Sequence, residues 1–316
     1  MPDMEPDPEI ALEVQGLVKR FGALLAVDSL GFSVRRGEIF GLVGPDGAGK
    51  STAMRMLASV MKPDGGAICI DGVDVVAHPA RARHHVSYMP QRFGLYEDLT
   101  VDENIRFYAD LFGIPRRDWT ERAARLLEAA GMTRFRSRLA GQLSGGMKQK
   151  LGLSCALVHA PRVLLLDEPT TGVDPVSRRE FWQLLYGLRA QGVATVISTA
   201  YLDEAERCDR LALLHRGRLM HCDSPQQLKR GMPGDIVRVT AAEPRRLAAK
   251  LAGMPGLLGQ LLVGTGLHLH VDSAGLRLPQ LRALLQGDAV QDIARVDPTI
   301  EDLFVALLGQ SGEGRQ

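Results

Sequence analysis

The chain has 316 residues, 45% of them hydrophobic, enough for one large domain and a smaller one, each with its own core. Its 38 lysines and arginines stand against 37 aspartates and glutamates, a formal charge of +1, so no broad basic surface argues for nucleic acid. The four cysteines (Cys69, Cys155, Cys208 and Cys222) form no CxxC pair, which excludes a paired-cysteine zinc motif and fits a reduced compartment.

The opening "MPDMEPDPEIALE" is acidic and proline-rich, without the basic start or apolar run of a signal peptide, and residues 1–9 are expected to be a disordered lead-in. No stretch reaches the roughly 18–20 apolar residues of a membrane helix, so any membrane role is expected to come through a partner. From Leu12 to about Leu228, short Val/Ile/Leu runs alternate with helical patterns. "EIFGLVG" (38–44) precedes a helix over "STAMRMLASVM"; "RVLLLDEP" (162–169) precedes one over "SRREFWQLLYGLR"; "GVATVIST" (192–199) precedes another. Unbroken apolar strands alternating with helices predict a parallel sheet covered on both faces.

A Gly/Pro-rich break, "KRGMPGD" (229–235), divides a domain over 10–230 from a C-terminal extension over 231–316. The extension reads as strand 236–240, helix 244–251, strands near 258–263 and 267–271, helix 279–285, a strand near 291–296 and an amphipathic helix 299–308. This β-α-β-β-α-β order resembles the split-βαβ pattern. Within it, "HLH" puts His268 and His270 on one strand face. With no third ligand nearby, a solvated face is expected rather than a metal pair.

"GPDGAGKST" (44–52) satisfies G-x-x-x-x-G-K-[ST], with a strand feeding in and a helix leaving. Gly44, Pro45, Asp46, Gly47, Ala48 and Gly49 would wrap backbone N–H groups around phosphate at a helix N-terminus. Lys50 would reach the β/γ-phosphates of ATP, and Ser51, followed by Thr52, would hold Mg2+. Asp46 is a departure, a carboxylate beside phosphates, and its side chain is expected to point outward. In "VLLLDEP", Asp167 closes an apolar strand, where it can reach Mg2+ directly or through water. Glu168, next in line, points differently and suits orienting the attacking water.

"LSGGMKQK" (143–150) adds a third motif: Ser144, Gly145 and Gly146 precede a helix whose N-terminus can receive phosphate. Together with the phosphate loop and "LLLDEP" it closely resembles the signature of ATP-binding-cassette (ABC) ATPases, over roughly 12–228. The resemblance implies an α/β P-loop NTPase fold: a RecA-like core, an antiparallel β subdomain and an α-helical signature subdomain, here with a small α+β C-terminal domain. It implies that Leu143, Ser144, Gly145, Gly146, Met147, Lys148 and Gln149 face the ATP bound by a second cassette, in a homodimer or heterodimer. Phe21 matches the aromatic that stacks on adenine, and Asp174, in "TGVDP", the loop crossing the dimer interface. Gln91 matches the glutamine that senses Mg2+ and the attacking water. The segment after Gln91, through about Asn104, resembles the surface that receives a permease's coupling helix.

"GLYEDLTVDEN", "TTGVDPVSRRE" and "STAYLDEAERCD" look like bacterial export cassettes that serve a separate multi-span permease. A narrower likeness is to multidrug efflux cassettes that work with a periplasmic adaptor, at the cytoplasmic face of the inner membrane. The alternative is a soluble, non-transport ABC ATPase with a regulatory or ribosome-associated role. Against it, the chain has no room for a long coiled coil between Lys50 and Leu143, and it carries one cassette. One position departs from the family pattern. Glu204-Ala205 sets the register of "S-T-H-x-x-x-E-A", which places Ala200 in the slot of the switch histidine, so slow hydrolysis is expected.

Overall fold

The computed structural model describes residues 8–92 and 94–310; of the expected lead-in, residues 1–7 lie outside the described residues. Residues 8 and 9 form a turn, Pro8 and Glu9 each offering a carbonyl to Arg36. The chain then runs β1 (Ile10–Phe21), β2 (Leu24–Arg35), β3 (Ile39–Val43), α1 (Lys50–Leu57), β4 (Gly65–Ile70), β5 (Val73–Asp74), α2 (Pro79–Ala82) and β6 (Val86–Met89). Next come α3 (Val101–Leu111), α4 (Arg116–Ala129), α5 (Gly145–Leu157), β7 (Val163–Asp167), α6 (Pro175–Ala190), β8 (Ala194–Thr199) and α7 (Leu202–Ala205). Then follow β9 (Arg210–His215), β10 (Arg218–Asp223), α8 (Pro225–Arg230), β11 (Asp235–Ala241) and α9 (Pro244–Leu251). The chain ends with β12 (Leu257–Val263), β13 (Gly266–Val271), α10 (Ala274–Leu284), β14 (Val290–Val296) and α11 (Ile300–Gln310).

Two compact units result. The first takes the described residues through Tyr201 together with Cys208–Cys222; the second takes Leu202–Arg207 and the described residues from Asp223 onward. The second unit thus draws Leu202–Arg207 and residues 223–230 from within 10–230, because α11 packs on α7 and α8.

In the first unit, β6, β7, β8, β3 and β9 pair in parallel in a sheet of order β10-β9-β3-β8-β7-β6. Every residue of β3, β7 and β8 is buried, as a sheet covered on both faces requires. One cover is an antiparallel sheet, β2-β1-β4-β5, whose Leu12, Leu17, Leu30 and Ile68 share a core with Met54, Met56 and Leu57 of α1. The other holds Leu153 and Leu157 of α5 with Phe181, Trp182 and Leu185 of α6. A separate core, built on Ile105, Leu127 and Leu151, joins α3, α4 and α5.

The helix expected over "STAMRMLASVM" stops at Leu57. Ser59 adopts φ +58, and the N–H groups of Val60 and Met61 turn back onto Arg55 O, a C-terminal stop that the apolar pattern masks.

In the second unit, β12-β13-β11-β14 form an antiparallel sheet. The helix expected at 279–285 is α10, which starts at Ala274 and carries Pro279 inside it. The bond the proline cannot donate is offset by burial of Ala274 and Leu281 in the unit's core. "HLH" is not a solvated face: His268 and His270 are 7% and 8% exposed, the first against α11 and the second against Pro233 and Gly234. His268 Nδ1 lies 3.0 Å from Asp302 Oδ1, and His270 Nε2 lies 2.6 Å from Pro233 O. Asp302 also accepts from Thr299 N and Oγ1, closing the first turn of α11, while Ile300 N donates to Glu206 Oε1.

Burial pushes the Asp302 carboxyl up, but its bonds from His268 and Thr299 outweigh that and leave its pKa below the ordinary 3.8. A carboxylate depressed on folding stabilises fully above its unfolded pKa and loses that effect as pH falls through the folded value. Asp302→Asn is therefore expected to destabilise the α11 contact by about 1–3 kcal/mol at pH 7. The difference from wild type should shrink as the pH drops below 3.8, with hydrogen exchange at the α11 amides as the measurement.

Candidate active site

Val43 pairs with Thr199 and Asp167 with Ser198, so β3, β8 and β7 end together on one edge of the parallel sheet. That is the edge at which open α/β sheets take ligands. Four expected residues meet there: Lys50, Ser51, Asp167 and Glu168. The loop 44–49 is closely fitted. A Cβ on Gly44 would stand 2.3 Å from Leu214 O, and one on Gly49, at φ +98, would stand 2.4 Å from Ala26 O. No side chain fits at either position. Pro45, Asp46 and Gly47 are exposed, and Ala48 is buried beneath them.

Lys50 is 4% exposed; its Nζ donates to Gly44 O at 2.8 Å and Pro45 O at 3.1 Å and pairs with Glu168 Oε1 at 3.2 Å. Ser51 Oγ donates to Asp167 Oδ1 at 3.0 Å. Gln91 Nε2 donates to Glu168 Oε2 at 3.2 Å, which ties the segment after β6 to the same carboxylate. The hydroxyl and carboxylate oxygens of Ser51 and Asp167, with the Gln91 amide close by, make a hard, oxygen-rich set suited to Mg2+.

Two positioning residues carried no motif. Ser198 Oγ donates to Asp167 Oδ1 at 2.5 Å and accepts from Glu168 N at 3.0 Å, and Glu168 N also reaches Ser198 O. These bonds hold Glu168 at φ +48, a left-handed backbone rare for a residue with a side chain. Tyr88 Oη donates to Asp167 Oδ2 at 3.2 Å; burial and then the neighbouring Asp167 charge raise its pKa to about 12, so it remains a donor. Only the serine of "VIST" beside "LLLDEP" hints at the first, and nothing in the sequence marks the second.

A cavity of about 730 Å3 lies over the loop, lined by Phe21 and 24–26 on one side, 46–52 below, and Gln91, Glu168 and Arg216. Phe21 is 47% exposed, leaving its ring accessible to a base. A larger cavity, about 920 Å3 between α4, α5 and α6, contains none of these groups, and its Glu180 pairs with Lys150.

The signature residues do not line the 730 Å3 cavity. Ser144 caps α5, accepting from Met147 N at 3.4 Å, and is exposed, as is Gly145. Leu143 is buried in the helical core with Met147 packed against it. Lys148 pairs with Glu97 at 2.6 Å, and Gln149 lies one residue further along α5. Gly146 meets α6: a Cβ on it would stand 2.3 Å from Ser177 Oγ. Asp174 caps α6 through Val176 N and Ser177 N, and its bonds to Ser177 hold its carboxyl below the usual range. Ala200, exposed just past β8, offers no donor; Tyr201 beside it stacks under the Arg178 guanidinium.

A family model described as "ABC transporter" matches residues 27–171. "Probable multidrug ABC transporter ATP-binding protein YbhF" of Escherichia coli (strain K12) is 41% identical over 308 residues, covering 96% of this chain and 53% of that protein. The chain thus spans about half the length of that relative. "Nod factor export ATP-binding protein I" of Rhizobium sp. (strain N33) is 36% identical, covering 96% of this chain and 99% of the relative. Among solved structures, "Structure of ATP binding subunit of ABC transporter" aligns with a TM-score of 0.64 at 33% identity, over 70% of this chain and 92% of that one.

Ser198→Ala removes the bond that orients both Asp167 and Glu168. ATP turnover at saturating ATP and Mg2+ is expected to fall about 10-fold or more, as for other groups that orient metal ligands. Wild-type turnover in this variant would show the hydroxyl to be dispensable.

Proposed function

The chain belongs to the ABC transporter ATP-binding proteins, and from that premise we propose that it binds and hydrolyses ATP to drive a bacterial exporter whose permease is a separate multi-span protein. The observation that carries this reading is the convergence of Lys50, Ser51, Gln91, Asp167 and Glu168 around one cavity. Both relatives described above are named for export or multidrug transport, which favours a transporter over a regulatory or ribosome-associated ATPase. Drug or xenobiotic efflux is the proposed task, at the cytoplasmic face of the inner membrane and with a periplasmic adaptor as a further partner. No helix of the described residues is long and apolar enough to cross a membrane, so the translocation path belongs to the partner.

In this reading Phe21 stacks on adenine while the amides of 44–52 and Lys50 take the phosphates. Ser51, Asp167 and Gln91 would hold Mg2+, which supplies charge neutralisation at the β- and γ-phosphates. A bound phosphate competes with Glu168 for Lys50, leaving the Glu168 carboxylate to orient water. Ser144 and Gly146 of a second cassette close over the same nucleotide, with Asp174 at the seam. Closure moves the permease through the segment after Gln91, and hydrolysis resets it.

Two variants test this. Glu168→Gln is expected to trap an ATP-bound dimer, visible by size-exclusion chromatography with Mg2+-ATP, and to abolish turnover; hydrolysis at the wild-type rate removes Glu168 from this role. Ala200→His restores an imidazole at the γ-phosphate. Loss of one such contact costs on the order of a hundredfold, so a rise in turnover of 10-fold or more is expected, and unchanged turnover removes Ala200 as the limiting feature.

A further inference from the structure

The hairpin turn between β9 and β10 reaches the nucleotide cavity, although no motif lies in it. Gly217 N donates to Ala48 O at 3.0 Å, and Asp28 N donates to Gly217 O at 2.8 Å. The turn is thereby fastened to the phosphate loop on one side and to β2 on the other. The fit leaves no room for a side chain at 217, where a Cβ would stand 2.8 Å from Ala26 O. Arg216, immediately before it, adopts φ +48, a region that favours Gly or Asn over a long side chain. Its side chain is exposed and lines the cavity with Phe21, Asp46 and Lys50.

Resting on the nucleotide-binding reading above, we propose that Arg216 is an affinity-setting contact to the phosphate chain of a nucleoside di- or triphosphate. Its placement is the first support: the turn joins the base-side strand to the phosphate loop, so the guanidinium stands where both walls of the cavity meet. Charge is the second. Asp46 puts a carboxylate on the same cavity, and a cation there offsets its repulsion of phosphates. The third is the backbone. A left-handed arginine is strained and persists where its surroundings hold it, here in a hairpin turn whose next residue bonds to Ala48 and Asp28. Arg216 lies in the turn between β9 and β10, on a different element from Asp167 and Glu168. Its contact is therefore with nucleotide before and during hydrolysis alike, which sets affinity rather than turnover.

Arg216→Asn keeps a residue that tolerates the left-handed turn, and Arg216→Lys keeps the charge. The measurement is titration of a fluorescent ADP analogue at low and high salt, with steady-state ATP hydrolysis alongside. The asparagine variant is expected to bind about 10-fold more weakly at low salt, a gap that narrows as salt screens the exposed charge, and to show its loss in KM rather than kcat. The lysine variant should recover most of the affinity. If wild type binds the analogue and the asparagine variant binds it equally well, this inference fails while the proposed function stands. If lysine is as weak as asparagine, the charge contact is overturned and the turn acts through its shape. If wild type binds no nucleotide, the proposed function fails with it.

Discussion

One hydroxyl holds the carboxylate corner of the candidate site together. Ser198 donates to the Asp167 carboxylate and receives the Glu168 amide, so two adjacent acids from β7 are oriented by a single residue of β8. Without it, the left-handed Glu168 would have little reason to persist, and Asp167 would lose its fixed angle to Ser51. Parallel pairing makes this possible, because Asp167 and Ser198 are direct partners in register. The rest of the site is set around that point. Lys50 and Gln91 both close on Glu168, from the phosphate loop and from the segment after β6.

The fold was legible wherever burial is continuous. β3, β7 and β8 are apolar along their whole length, and a strand buried on both faces announces itself without alternation. The antiparallel sheet was not readable in that way and entered through the family resemblance. β1 and β2 are 12-residue strands with irregular register, so their apolar residues keep no clean period. Local backbone events were invisible as well. The stop of α1 depends on a left-handed Ser59, and α10 runs through Pro279, which reads as a beginning when taken alone. His268 and His270 read as solvated because what they pack against, α11 and Pro233, lies some thirty residues away in the chain.

Site residues divide in the same manner. Motif spacing identified Lys50, Ser51, Asp167 and Glu168, since covalent neighbours on a strand end or helix start have little freedom in where they point. Gln91 required the family pattern. Ser198 has only the serine of "VIST" as a hint, and Tyr88 and Arg216 have none; sheet register, burial and a hairpin's backbone bonds bring them to the cavity and its carboxylates. Ala200 is the reverse case: the family pattern proposes a role for the position, and the structure shows an exposed methyl there with Tyr201 engaged by Arg178.

The path of the chain after β8 bears on how such proteins recombine. It leaves the first compact unit at Tyr201, contributes Leu202–Arg207 to the second, and returns as β9. There Glu206 accepts from Ile300 and pairs with Lys229, so residues nearly a hundred positions apart are joined by side-chain bonds. Gene fusion that exchanges the C-terminal region at the Gly/Pro break therefore exchanges only part of a module. The short helix after Ala200 would be left among foreign neighbours, which couples the divergence of the tail to that of the segment just past β8.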